Sequence, residues 1–305
     1  MLRLIRITGL ALLFGLAAAG CNDDPAVSVD TAPDSAQVVA VNSPLLYFAQ
    51  RLAGEALEAK LLAPADIDPA TWNPGVEDVL ALQQAGLIFL NGAGYESWLD
   101  KVSISAGKLV NTSERVKDRW IRVENQVTHS HGPQGEHAHG DFAFTTWMDM
   151  SIARAQAEAV AEALATFRPP LAGRIEKNLE SLRADLAALD AGYREVAAAL
   201  ANRKRIYSHP VYQYFERRYD LHGTSLHWEP DTMPEQSEWK ALAALADGER
   251  TLFVWEGEPA AEIAAHMSDL GIEWVVVEPG ANRKDRDWLQ VQQDNLESLG
   301  GLAAQ

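Results

Sequence analysis

Four of the chain's eight histidines, His129, His131, His137 and His139, fall within eleven residues of Thr128-His129-Ser130-His131-Gly132-Pro133-Gln134-Gly135-Glu136-His137-Ala138-His139-Gly140-Asp141. Imidazole nitrogen suits zinc and its neighbours among the divalent transition metals, and a short histidine-rich run among glycines reads as metal binding. The competing reading is a solvated loop with no fixed ligand role. Two other segments set an acid beside a tryptophan near a predicted strand end: His227-Trp228-Glu229-Pro230 and Trp255-Glu256-Gly257-Glu258-Pro259. Lining a cleft, Glu256 and His227 would act as auxiliary ligands or as outer partners that orient a coordinating imidazole. Against that stands the ordinary arrangement, tryptophans in a core and acids facing water. A zinc-dependent hydrolase would also use histidine and glutamate, but the chain has no His-Glu-x-x-His or comparable pair on one helix face.

The chain begins with Arg3 and Arg6, an apolar run from Ile7 to Ala19, then Gly20 and Cys21. Residues 1–20 read as an export signal; the run is interrupted at Thr8-Gly9 and falls short of the ~20 residues a membrane-spanning helix needs. Cys21, the only cysteine, follows Ala18-Ala19-Gly20 and resembles the lipobox of bacterial lipoproteins. Processing would leave it as a lipidated first residue, anchoring the protein in the cell envelope, periplasmic or on the outer face of the cytoplasmic membrane. One cysteine excludes an internal disulfide. Residues 21–36 read as lipidated Cys21 and a flexible tether, because they are rich in Asp, Pro, Ser and Ala and show no apolar period. A formal charge of −17, from 43 acidic and 26 basic residues, argues against nucleic acid as a partner.

Beyond the tether, strand and helix signals alternate. Val38–Val41, Leu87–Leu90, Arg205–Ser208, Thr251–Trp255 and Trp274–Val277 read as strands, and Ser43-Pro44 opens a helix. Helices are also predicted over 76–85, 149–167, 210–219, 237–246 and 259–270. Ile175, Leu179, Leu182, Leu186, Leu189, Tyr193, Val196 and Leu200 recur at spacings of three and four, one face of a long helix. Flanking alanines favour a helix lying across two lobes of its own chain over a coiled-coil dimer, so a monomer is expected. The fold class is α/β: two lobes with mostly parallel sheets joined by one long backbone helix. The expected boundaries are 37–170 for an N-terminal lobe carrying the His-rich loop 128–141, 171–202 for the helix, and 203–305 for a C-terminal lobe.

Several motifs in this order resemble the cluster A-I solute-binding proteins, the zinc and manganese receptors of ABC importers. They are Asp68-Pro69-Ala70-Thr71-Trp72-Asn73-Pro74, then Leu87-Ile88-Phe89-Leu90-Asn91-Gly92-Ala93-Gly94-Tyr95-Glu96-Ser97-Trp98-Leu99, then the His-rich loop and Trp147-Met148-Asp149. Ser208-His209 with Tyr214 and Tyr219, Phe253-Val254-Trp255-Glu256 and Val276-Val277-Glu278-Pro279 complete the series.

The resemblance implies a metal held between the lobes and delivered to an importer's permease and its ATPase. His209 matches a position that is His in the zinc receptors, and Glu278 stands where Asp is usual. Where the family commonly has His after Asp-Pro this chain has Ala70, and two residues before Trp147, where the second His is expected, it has Thr145. Neither replaces an imidazole, so the His-rich loop is expected to complete the site. The histidine inventory favours Zn2+ as cargo, with Mn2+ the alternative if oxygen ligands prevail. A metal-buffering or adhesive lipoprotein without a transporter is the remaining alternative function.

Overall fold

The computed structural model describes residues 37–123, 141–246, 250–282 and 285–303, together with the backbone of 129–130 and 136–137. Cys21, His131 and His139 lie outside the described residues, as do the side chains of His129 and His137.

The first lobe contains β1 (Val38–Ala40), α1 (Ser43–Ala53), β2 (Ala59–Leu61), α2 (Val76–Gln84), β3 (Leu87–Leu90) and β4 (Leu109–Asn111). Its sheet is parallel throughout, in the order β2-β1-β3-β4. β1 and β3 are buried along their whole length, which is why they read as unbroken apolar runs. α1 is capped by Asn42 rather than Ser43: the Leu45 N–H donates to Asn42 Oδ1 at 3.1 Å. Pro44 falls in the first turn, where a missing N–H costs no helical bond.

Two short strands, β5 (His129–Ser130) and β6 (Glu136–His137), then pair antiparallel with His129 opposite His137. α3 (Met150–Phe167) starts at Asp149, whose carboxylate accepts the N–H groups of Ser151 and Ile152. α4 (Ala172–Ala199) has 28 residues and is about 42 Å long. Its buried stripe is Ile175, Leu179, Leu182, Leu186, Leu189, Tyr193 and Ala197, with Leu200 at the C-cap. The expected Val196 is half-buried and Ala197 takes its place, because spacings of four and three drift on a helix of 3.6 residues per turn. α4 packs against α1 and α3 on one side and, in the second lobe, against α5 (Gln213–Tyr219) and α8 (Trp288–Ala303) on the other.

The second lobe's remaining elements are β7 (Lys204–Tyr207), β8 (Thr224–Ser225), α6 (Gln236–Ala246), β9 (Thr251–Trp255), α7 (Ala261–Asp269) and β10 (Glu273–Val276). Its parallel sheet runs β10-β9-β7-β8. From the β8 edge this is the lobe's second, first, third and fourth strand, the order of the first sheet. The two lobes thus share a topology without a detectable sequence repeat. In both, the order reverses beside the lobe's first strand, and that is where an open parallel sheet leaves a crevice at its carboxyl ends.

One core runs from the first sheet across α4 into the second lobe, and Trp288 of α8 stacks edge-on against Phe48 of α1. A second core lies under the second sheet and includes Ile206, Trp228, Trp239, Phe253, Trp255 and Ile263. No described helix is long and apolar enough to cross a membrane.

Candidate metal centre

The carboxyl ends of the second lobe's strands converge on a cleft of about 570 Å³ between the lobes. After β7, the Ser208 N–H donates to Val254 O at 2.8 Å, and Ser208 Oγ accepts the Glu256 N–H at 3.2 Å. These bonds tie the ends of β7 and β9 together and put His209 beside Glu256. The Trp228 N–H donates to Ser208 O at 2.9 Å, bringing the segment after β8 to the same point. Trp228 and Trp255 are buried in the core under the sheet, so each residue that follows, Glu229 and Glu256, turns toward the cleft.

His209 is 5% exposed. Its Nδ1 lies 3.2 Å from Glu256 Oε1 and 3.2 Å from Trp228 O, while its Nε2 lies 3.6 Å from Glu229 Oε1. One ligand atom each from His209, Glu229 and Glu256 can be chosen so that all lie within 4.8 Å of one another. Burial lowers the imidazole's proton affinity, but the hydrogen bond and charge of Glu256 and the charge of Glu229 outweigh it, raising the pKa above the ordinary 6.5. An environment that stabilises a cationic imidazole also stabilises a metal cation in the proton's place. Both ring nitrogens thus face a carboxylate, Nδ1 that of Glu256 and Nε2 that of Glu229.

The other sequence-derived residues are placed differently. Glu278, two residues past β10, lines the cleft but pairs with Arg286, which also holds Asp294. The Glu278 N–H donates to Asn295 Oδ1 at 2.9 Å, fixing its backbone. Glu278 is not part of the trio. His227 lines the cleft with its ring 5.8 Å from that of His209 and also stands outside the trio. The His-rich tract leaves and returns to the described chain at Val123 and Asp141; Val123 and Phe142 both line the cleft.

The first-lobe side is of a different character. Ala70 is buried, and Thr145 Oγ1 donates to Val211 O at 2.6 Å, bridging the lobes. Trp147 Nε1–H donates to Pro279 O at 2.8 Å, and Asn282 Nδ2 to Pro64 O and Ile67 O at 2.6 Å each. Behind this wall a closed network holds the polar groups at the ends of β3 and β4. Asn91 Oδ1 accepts from Thr146 Oγ1 at 2.9 Å and Gln156 Nε2 at 3.1 Å, and Gln156 Nε2 also donates to Thr112 Oγ1 at 3.1 Å. Gly92, at φ 81°, allows the tight turn: a Cβ there would meet Asn111 Oδ1 at 2.3 Å.

Glu229 is the residue that sequence reasoning underweighted. Its signal was the parallel between the two Trp-Glu segments, each followed by a proline.

Comparisons with known proteins identify the family and the fold. Residues 38–301 match the family described as zinc-uptake complex component A, periplasmic. The chain is 28% identical over 237 residues to the manganese ABC transporter substrate-binding lipoprotein PsaA of Streptococcus pneumoniae, covering 74% of this chain and 71% of that one. It is 24% identical over 312 residues to the high-affinity zinc uptake system protein ZnuA of Bacillus subtilis, covering 95% and 94%. In fold it is similar to the crystal structure of the Zn(II)-bound ZnuA-like domain of Streptococcus pneumoniae AdcA, at TM-score 0.72, 18% identity and coverage of 89% and 100%. These relatives are substrate-binding proteins of ABC transporters rather than enzymes. The chain belongs to the zinc-uptake complex component A family, the metal-binding substrate-binding proteins of ABC transporters.

Proposed function

We propose that the protein is an extracytoplasmic receptor that captures zinc in the inter-lobe cleft and passes it to the permease and ATPase of an ABC importer, held at the membrane through lipidated Cys21. The observation that carries this is the convergence of His209, Glu229 and Glu256 within 4.8 Å at the strand ends of one lobe. Neutral imidazole and carboxylate oxygen bind Zn2+ at about 2.0 to 2.2 Å, and two carboxylates with one imidazole balance a divalent charge. Glu278 lines the same cleft but pairs through Oε1 with Arg286. The same oxygen-rich set accommodates Mn2+, which prefers carboxylate and water, so the imidazole is what tips the choice toward zinc.

The test is a competition titration of the purified mature protein against chelating dyes for zinc and manganese, beside His209→Ala. Zinc bound at least tenfold more tightly than manganese, with the preference lost in His209→Ala, supports the reading. Manganese bound more tightly, or zinc affinity unchanged in the variant, overturns it.

A further inference from the structure

The cleft is much larger than an ion requires, and its two walls differ in kind. At about 570 Å³ it lies within the roughly 300 to 1,000 Å³ typical of small organic ligand pockets, which combine an apolar lining with a few convergent polar groups. His209, Glu229 and Glu256 form the polar side. From the first lobe the lining is mostly apolar, with Ile67, Pro69, Val123, Phe142 and Phe144, and carries the acids Asp66 and Asp68. Thr145, also on this side, donates its hydroxyl hydrogen to Val211 O. Asp68 also borders the cleft, and its Oδ1 accepts the Ala70 N–H at 3.0 Å.

The first-lobe wall is also held where it stands. Thr145 to Val211, Trp147 to Pro279 and Asn282 to Pro64 and Ile67 are hydrogen bonds between the lobes, with α4 packed against both. Advancing that wall onto a bare ion would break these bonds and bring mainly apolar side chains to the metal.

We propose that the cleft takes its metal already bound to a small organic chelator. The metal sits on the side of His209, Glu229 and Glu256, and the chelator fills the remaining coordination positions while its body lies against the apolar wall. This rests on the cation reading above and names its substrate class. Charge narrows the chelator. Two carboxylates already balance a divalent ion, and Glu278, paired with Arg286, adds no positive surplus. A multiply anionic chelate would meet uncompensated acids in a cavity of reduced dielectric. The chelator is therefore uncharged or zwitterionic, with nitrogen donors and an aromatic or aliphatic body.

The experiment uses the purified mature protein with zinc alone, zinc with 2,2′-bipyridine, zinc with L-histidine, and zinc with citrate, all at matched free zinc. Retention of zinc and organic component is read by native mass spectrometry, and apparent zinc affinity by competition. Zinc retained together with one bipyridine or one histidine, and an affinity at least tenfold higher than with citrate, is the expected result. Zinc bound equally well alone, with both nitrogen chelators only stripping the metal, overturns the chelate proposal and leaves the receptor reading intact. Citrate retained as well as the nitrogen chelators overturns the charge argument. No zinc retained in any arm rejects the receptor reading, and the chelate proposal with it.

Discussion

After β3 and β4 the first lobe places Asn91, Thr112 and Ser113; after β7, β8 and β9 the second lobe places His209, Glu229 and Glu256. The strand orders are the same, so each sheet offers a crevice at its reversal point. In the first lobe the polar groups satisfy one another: Ser113 Oγ donates to Asn91 O at 2.6 Å, and Asn91 Nδ2 to Phe144 O at 2.8 Å. In the second lobe the groups are an imidazole and two carboxylates, facing each other across 3.2 to 3.6 Å. Topology supplies the position, and side-chain chemistry decides which wall holds a cation. A network of neutral amides and hydroxyls fixes the shape of one wall, and an anionic cluster needs a cation to complete the other.

The largest expected effect tests what the lobes share. Leu186→Asp places an unpaired charge at a position 1% exposed on α4, within the core that serves both lobes. It should cost about 3 to 5 kcal/mol, read as a large fall in the urea midpoint. An unchanged midpoint would mean that the lobes do not depend on a common stripe.

Next comes the contrast between the walls. His209→Ala should weaken zinc binding by roughly two to three decades, about 3 to 4 kcal/mol, while Thr145→Ala should change it by less than about threefold. Equal losses would erase the asymmetry. Within the second-lobe wall, Glu229→Gln and Glu256→Gln should each cost about one decade, or ~1.4 kcal/mol. Glu278→Gln should cost less, because its carboxylate is engaged by Arg286. A larger loss for Glu278→Gln than for Glu229→Gln would move the site toward β10.

The pH dependence sharpens the same comparison. His209 in the folded protein holds its proton above the ordinary 6.5. The protonated ring therefore stabilises the metal-free protein fully below about 6.5, and that contribution is lost as pH rises through the raised value. Metal must displace this proton, so zinc affinity should be lowest below 6.5 and climb with pH until the ring is neutral. The thermal midpoint of metal-free wild type should fall relative to His209→Ala over that window. A flat difference would show that the imidazole's proton is not coupled to folding.

Much of the frame was legible in the sequence. Val38–Ala40, Leu87–Leu90 and Thr251–Trp255 are continuous apolar runs because both faces of each strand are covered. The stripe on α4, from Ile175 to Ala197, spans about six turns and announces itself by period. The missed elements are β2 and β4, of three residues each, and β5, β6 and β8, of two each, all too short to carry a period. α8 was missed because its buried face includes Gln292 and Asn295, which interrupt the apolar pattern. The Tyr193 hydroxyl donates to Gln292 O at 2.9 Å, and Asn295 brackets the Glu278 backbone.

The site was partly legible for the same reasons. His209 and Glu256 follow strands that were visible, whereas Glu229 follows β8, which was not. Pairing of Glu278 with Arg286, eight residues on, depends on a loop that folds back and leaves no mark in composition.

A last prediction concerns the His-rich tract. Replacing His129, His131, His137 and His139 together with Ser should lower zinc affinity by about tenfold at most if the second-lobe trio is the principal site. A loss matching that of His209→Ala would make the tract an equal ligand source.

The most direct measurement is an anomalous difference map at the zinc edge from crystals of the mature protein grown with zinc. The account predicts one principal peak within about 2.0 to 2.2 Å of a ring nitrogen of His209 and of an oxygen from Glu229 or Glu256. A principal peak coordinated from the first-lobe wall, with His209 still bonded to Glu256 and no metal beside it, would contradict the account.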